Sequence, residues 1–209
     1  MSKSKKIKLR LNVTKVHVER ELREANIYRQ LMFDWINGLV SEKNVIKRFD
    51  AIFYYVRVAF ETKYILALSK LFSGTDEESL WKLIISAIKV EEDFFELKLE
   101  RANISFKDRL REKRKEFHKR YNNYIQRIKQ IRNRLKPLRN TFIAHNYPDV
   151  KEERKTIWNE LKEWTEFGEK VYIEAMDSVC EPRTAFGDFT LDDIDMEIKD
   201  FFEFIRPKK

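Results

Sequence analysis

Arg139, Asn140 and His145 are the residues of this chain whose types and spacing could do chemistry together. They lie in Leu-Lys-Pro-Leu-Arg-Asn-Thr-Phe-Ile-Ala-His-Asn-Tyr-Pro, residues 135–148, where a long basic segment reaches a predicted helix end. A guanidinium, a carboxamide and an imidazole with apolar anchors between them suit phosphodiester chemistry. Cleaving RNA without a metal ion needs a base for the 2′-hydroxyl proton, an acid for the leaving oxygen and a cation beside the phosphorane. Histidine and arginine supply that set, and imidazole titrates near neutral pH.

Spacing alone does not single this pair out. His17 follows Arg10 and His118 follows Arg111, each at seven positions, so every histidine sits a short way after an arginine. Context separates them: Arg10 precedes Leu11 and Arg111 precedes Glu112, whereas Arg139 precedes the neutral polar Asn140. On a helix, six residues turn through about 600° and rise about 9 Å, which leaves Arg139 and His145 roughly 120° apart. One copy is therefore a poor two-group site, and two copies across a two-fold axis would bring both pairs to one phosphate. His145 would lie in a last helical turn, where unpaired carbonyls favour an imidazolium and so a proton donor. The competing reading is structural: a histidine that caps carbonyls, with Arg139 one more surface cation.

Other chemistries find no residues. The chain has no phosphate-cradling glycine loop, no HExxH, no CxxC and no Gly-x-Ser-x-Gly elbow. Asp192, Asp193, Asp195 and Glu197 read as acids of a first helical turn rather than as metal ligands, so neither metal nor cofactor is expected. The single cysteine, Cys180, excludes an internal disulfide. No apolar run is long enough to cross a bilayer and no signal peptide is visible, so a cytoplasmic chain without membrane contact is expected.

The formal charge of +8 is uneven. Residues 105–140 carry fourteen Lys and Arg against three acids, a net of +11, whereas residues 174–206 carry ten acids against three cations, a net of −7. A basic segment of that density is the usual footprint of a nucleic-acid surface. Arg127, Lys129, Arg132, Arg134 and Lys136 are the residues expected to bind RNA, and charge reversal at Arg127 and Arg134 is expected to weaken that binding. The alternative is a solvated helix face that pairs with acidic neighbours.

These groups have to be positioned by helices. With four glycines, four prolines and 37% charged residues, the chain has too little turn chemistry for a sandwich or a doubly wound fold. Residues 1–13 read as a basic flexible tail and Thr14 as the cap of a helix over 14–40, stopped near Asn37-Gly38. A helix over 42–72 is apolar around most of its circumference and is expected to be the buried central rod. Ser73-Gly74-Thr75-Asp76 is a turn, and a helix over 80–90 follows that either continues or breaks over 91–103. Ser105 caps the basic helix, whose seam is Phe106, Leu110, Phe117, Tyr121, Tyr124, Ile128, Ile131 and Leu135, and Pro137 is expected to kink or restart it. Tyr147-Pro148-Asp149 is a loop, a helix spans 151–179, and residues 180–209 add a loop and an acidic helix over 190–205 packed on the same domain. The reading is an all-α, up-and-down bundle of five to seven helices, with its body at 14–179.

Leu138-Arg139-Asn140-Thr-Phe-Ile-Ala-His145 resembles the Arg-polar-x4–6-His motif of the HEPN superfamily of all-α RNases. The wording around it is similar to the abortive-infection branch of AbiU type, as are residues 59–72 and Ser79-Leu80-Trp81. The resemblance covers roughly residues 22–146. It implies a metal-independent endoribonuclease working at a composite homodimer site across Arg139–His145, as an antiphage abortive-infection toxin or one half of a toxin–antitoxin pair. Arg139 would hold the scissile phosphate, His145 transfer protons and Asn140 position the pair, with Tyr147 matching the auxiliary tyrosine of some relatives. The competing class is a catalytically silent HEPN-like module that binds RNA or a protein partner.

Overall fold

Helix breakers are scarce in this sequence, and where the helices stop decides the architecture. A computed structural model of the chain describes residues 3–41, 43–74, 79–101, 104–143 and 151–178. Five helices fill these ranges: α1 (Lys3–Ser41), α2 (Lys43–Leu71), α3 (Leu80–Arg101), α4 (Ile104–Ile143) and α5 (Lys151–Ser178). Among the described residues there is no strand, and the fold is all-α.

Side-chain pairings fix the helix directions. Tyr28 meets Phe60 (ring centroids 6.5 Å apart) and Lys70 reaches Glu21 (3.4 Å), so α1 and α2 run antiparallel. Phe95 meets Phe117 at 6.2 Å and His118 Nε2 lies 3.3 Å from Glu92, so α3 and α4 are antiparallel too. α5 opposes α1 through Arg29–Glu166 (3.9 Å) and Tyr172–Glu19, and opposes α4 through Tyr121–Ser178 and Arg134–Glu160, both 3.2 Å. α2 and α3 barely touch; α3 carries on in the direction of α2 after a turn closed by Ser73 N–H donating to the Lys70 carbonyl (3.1 Å). The described helices thus form an up-and-down bundle of four rods, one of them broken between α2 and α3.

The break is packed by α5. Gly168 is buried there, and a Cβ at this position would lie 3.1 Å from Leu71, 3.2 Å from Leu22 and 3.5 Å from Leu80. The last residue of α2 and the first of α3 therefore close on one point of α5. A Cβ there would press on the ends of these leucines, which would have to give by a few tenths of an ångström. Gly168→Val is expected to overpack the notch and cost about 1–3 kcal/mol, read as a lowered urea midpoint. An unchanged midpoint would mean that the notch is loose.

Ile128 and Ile131 of the seam expected in α4 are core, and Val18, Leu22 and Met32 of α1 and Leu161, Trp164 and Val171 of α5 are buried with them. Three local expectations need correction, and the alternative left open over 91–103 is decided. α1 begins at Lys3 and buries Leu11, so the helix starts well before Thr14, which sits buried inside it; α1 also runs past Asn37-Gly38 to Ser41. α3 continues unbroken to Arg101. α4 starts at Ile104, one residue before Ser105, and holds Pro137 inside it without interruption. Asn133 and Pro137 both lie on the exposed side, so the carbonyl that proline leaves without a partner is open to solvent, while Leu135, Leu138 and Phe142 anchor the turns around it.

The third correction concerns α2. Its second half is core, with Tyr64, Ile65, Leu68 and Leu71 essentially inaccessible, but Ala51, Ile52, Tyr54, Tyr55 and Ala59 are exposed. α4 explains the difference, because it runs antiparallel to α2, lines a groove with Ser69 and Ser73 through Arg139, and stops at Ile143, a turn further on. Residues 144–150, with the expected loop, and 179–209, with the expected acidic helix, lie outside the described residues.

Candidate functional site

Arg132, Leu135, Lys136 and Arg139 occupy positions i, i+3, i+4 and i+7 of α4 and so share one face. That face meets Ser69, Ser73 and Gly74 at the end of α2, and together they line a groove of about 190 Å³. Leu135 and its neighbours Leu138 and Phe142 are buried, which fixes the rotation of α4 and turns the three cations towards the groove. A Cβ at Gly74 would fall 1.8 Å from Arg132 NH1, so the guanidinium lies over the bare glycine and any side chain there would displace it. The Ser69 hydroxyl is buried and has no hydrogen-bond partner among the described residues. Three cations and a spare hydroxyl donor form an arrangement that suits a phosphate, whose oxygens accept such bonds.

The expected site residues separate in space. Arg139 is half-buried in the groove, whereas Asn140, about 100° further round the helix, is exposed and outside it. Thr141 turns its hydroxyl back to donate to the Pro137 carbonyl (3.0 Å). His145 and Tyr147 lie outside the described residues. Of the five residues expected to bind RNA, Arg132 and Lys136 join Arg139, and the other three face elsewhere. Arg127 pairs with Glu163 and Arg134 with Glu160 (3.2 Å), both on α5, and Lys129 Nζ lies 5.3 Å from the Trp81 ring centre. Those three have partners within the bundle, so charge reversal at Arg132 and Lys136 tests the groove itself, beside the test at Arg127 and Arg134. Sequence reasoning misses Ser69, Ser73 and Gly74 as groove residues, because Ser73-Gly74 signals a turn and carries no hint of what packs on it.

The other histidines have different surroundings. His118 Nε2 shares Glu92 with Arg114 (3.3 and 3.5 Å), a link between α3 and α4. His17 lies within α1. A second cavity, of about 480 Å³, opens at the opposite end of α4 between Phe95, Phe117 and Ser178, and its lining mixes Lys113 and Arg120 with Glu91, Glu116, Glu174 and Asp177. Burial pushes the Glu91 carboxyl above its usual range, partly offset by Lys98. Mixed signs make that cavity a weaker place for a polyanion than the groove at Arg139. Among the described residues no group of three or more His, Cys, Asp or Glu is arranged to hold a metal, and no helix is long and apolar enough to cross a membrane.

An all-α bundle with an Arg-polar-x4–6-His segment at the end of a long basic helix is the build of a HEPN domain. The chain belongs to the AbiU2 family of HEPN domains, whose model matches residues 14–194, and is thus a HEPN domain related to abortive infection. No curated protein and no solved structure matches it.

Proposed function

We propose that this chain is a metal-independent endoribonuclease that cuts RNA at a composite site made by two copies, acting as a toxin in abortive infection. One observation carries the reading: Arg139, the arginine of the family motif, shares its groove with Arg132, Lys136 and the unpaired Ser69 hydroxyl. Arg139 holds the scissile phosphate, and its planar fork matches two phosphate oxygens. The 2′-oxygen attacks the adjacent phosphorus and gives up its proton to a base. The bond to the 5′-oxygen breaks, that oxygen takes a proton, and a 2′,3′-cyclic phosphate is left. His145 transfers the protons, and Asn140 steadies the RNA from the exposed side of the helix. Arg132 and Lys136 hold a neighbouring phosphate, which gives the strand its direction along α4. An antitoxin that masks this groove is a natural partner, and the chain acts in the cytoplasm.

Purified chain is expected to cut single-stranded RNA with a chelator present. Arg132→Glu with Lys136→Glu should weaken RNA binding and lower the slope of affinity against salt by roughly two, one for each phosphate that a cation no longer neutralises. If the wild type binds RNA tightly and leaves it uncut, the chain is a binding module. If the double variant binds as well as wild type at every salt concentration, the groove is not the RNA path.

A further inference from the structure

The uncovered stripe of α2 has a partner implied by its position. Ile52, Tyr55, Ala59, Thr62, Leu66, Ser69 and Ser73 follow one another at three- and four-residue steps, so they lie along one face of α2. α4 covers the Ser69–Ser73 end of that face and carries Arg139 there. The continuation at Ile52, Tyr55 and Ala59 is exposed. Because Tyr28 pairs with Phe60 in the antiparallel hairpin, Phe33 of α1 stands about level with Tyr55, and it too is exposed.

We propose that this stripe, centred on Ile52 and Tyr55 with Phe33 and Tyr54 beside it, is where a second copy of this chain docks, with the same patch meeting itself across a two-fold axis. The proposal rests on the two-copy reading of the site and supplies its docking surface. Size supports it. Large apolar side chains present ~150–250 Å² each, so the exposed fractions of Phe33 (62%), Ile52 (60%), Tyr54 (40%) and Tyr55 (69%) leave on the order of 450 Å² per copy. Counted on both copies, that is about half of a standard interface of ~1,600 Å², before any rim is added. Patches this large on a lone chain are usually functional, and Tyr, Phe and Ile suit the dry centre of an interface.

Charge argues against a nucleic acid on this stripe, and the C-terminal segment starts far from it. Arg57, the one cation from residue 51 to residue 60, lies over the Tyr54 ring (5.6 Å) and beside Glu61 (3.7 Å), so the stripe offers little to a phosphate backbone. The C-terminal segment leaves from Ser178, which accepts a hydrogen bond from Tyr121 at the opposite end of the bundle. A second copy docked here would lie along the same face of α2 that carries the Arg139 groove, about 21 Å from Ser69.

The test is the mass of the full-length chain in solution, by light scattering across a dilution series, for wild type, Tyr55→Glu and Ala59→Arg. Both positions are exposed, and circular dichroism checks that each variant keeps its helices. The wild type is expected to be a dimer, and either variant should raise the dissociation constant by about thirtyfold or more. A monomeric wild type, or variants that dimerise equally well, would overturn the proposal. So would a variant of unchanged mass that melts early, since the stripe would then be covered from within the chain. RNA cleavage is read separately. A dimer split by Tyr55→Glu in a chain that cuts no RNA keeps the surface and ends the nuclease reading; cleavage by a chain whose dimer ignores these substitutions does the reverse.

Discussion

Arg139→Ala is expected to slow RNA cleavage by at least about a hundredfold, the usual consequence of removing one cation or donor aimed at the charge that develops in the transition state. The side chain is half-buried in the groove, while Leu138 and Phe142 on either side are buried and remain in place, so α4 should keep its packing and the variant its melting temperature. Arg139→Lys should recover little, because a point charge does not reproduce a planar fork on two oxygens. His145→Ala is expected to cost on the order of 10²–10⁴-fold through the loss of proton transfer. Single-turnover cleavage of a labelled RNA measures both. A variant at either position that cuts as fast as wild type removes that residue from the mechanism, and unchanged cleavage in both ends the nuclease assignment of this motif.

The second large effect is on stability. Tyr64 is fully buried, stacks on Trp158 with ring centres 5.9 Å apart, and donates its hydroxyl hydrogen bond to the Leu161 carbonyl (3.1 Å) with the Thr165 hydroxyl 2.6 Å away. It fastens α2 to α5 just below the broken rod. Tyr64→Ala leaves an aromatic-sized hole and is expected to cost about 3–5 kcal/mol, whereas Tyr64→Phe loses only the hydrogen bond, about 1–2 kcal/mol. If both cost the same in urea unfolding, packing around the ring contributes little. The phenol adds a pH signature. Burial pushes its pKa up to about 12 from an ordinary 10.0. The folded state thus holds this proton more tightly than the unfolded state, and the associated stability is complete below pH 10 and lost as pH rises towards 12. Tyr121, raised chiefly by burial, and Tyr124, raised by burial and then by its hydrogen bond to Glu174, act in the same direction. Tyr64→Phe should therefore move alkaline unfolding to higher pH relative to its own neutral stability.

Local signals are legible in this sequence and long-range ones are not. The apolar repeat of α5 predicts a helix over 151–179, against an observed Lys151–Ser178, because a repeat with no breaker inside it has only one satisfactory conformation. The seam of α4 is legible for the same reason. Expectation and structure part where a neighbour decides. The first half of α2 is as apolar as its second half, but burial depends on where α4 stops, and no residue of α2 records that. The sequence leaves Arg127 and Arg134 open between binding RNA and pairing with acids, and only folding brings Glu163 and Glu160 alongside from another helix. In the groove, the Arg132–Lys136–Arg139 face follows from three- and four-residue spacing alone, while its Ser69–Ser73–Gly74 wall depends on how α4 packs against α2.

The broken rod has one more consequence, in the electric field at the groove. A helix carries roughly half a positive elementary charge at its amino end and half a negative one at its carboxyl end. Because α3 continues in the direction of α2, the carboxyl end of α2 and the amino end of α3 face each other, both within reach of Gly168. Their macrodipoles largely cancel beside the groove. Its positive potential then comes chiefly from Arg132, Lys136 and Arg139, set against the negative carboxyl end of α4 one turn beyond Arg139, so it should respond to ionic strength and to single substitutions at those three residues.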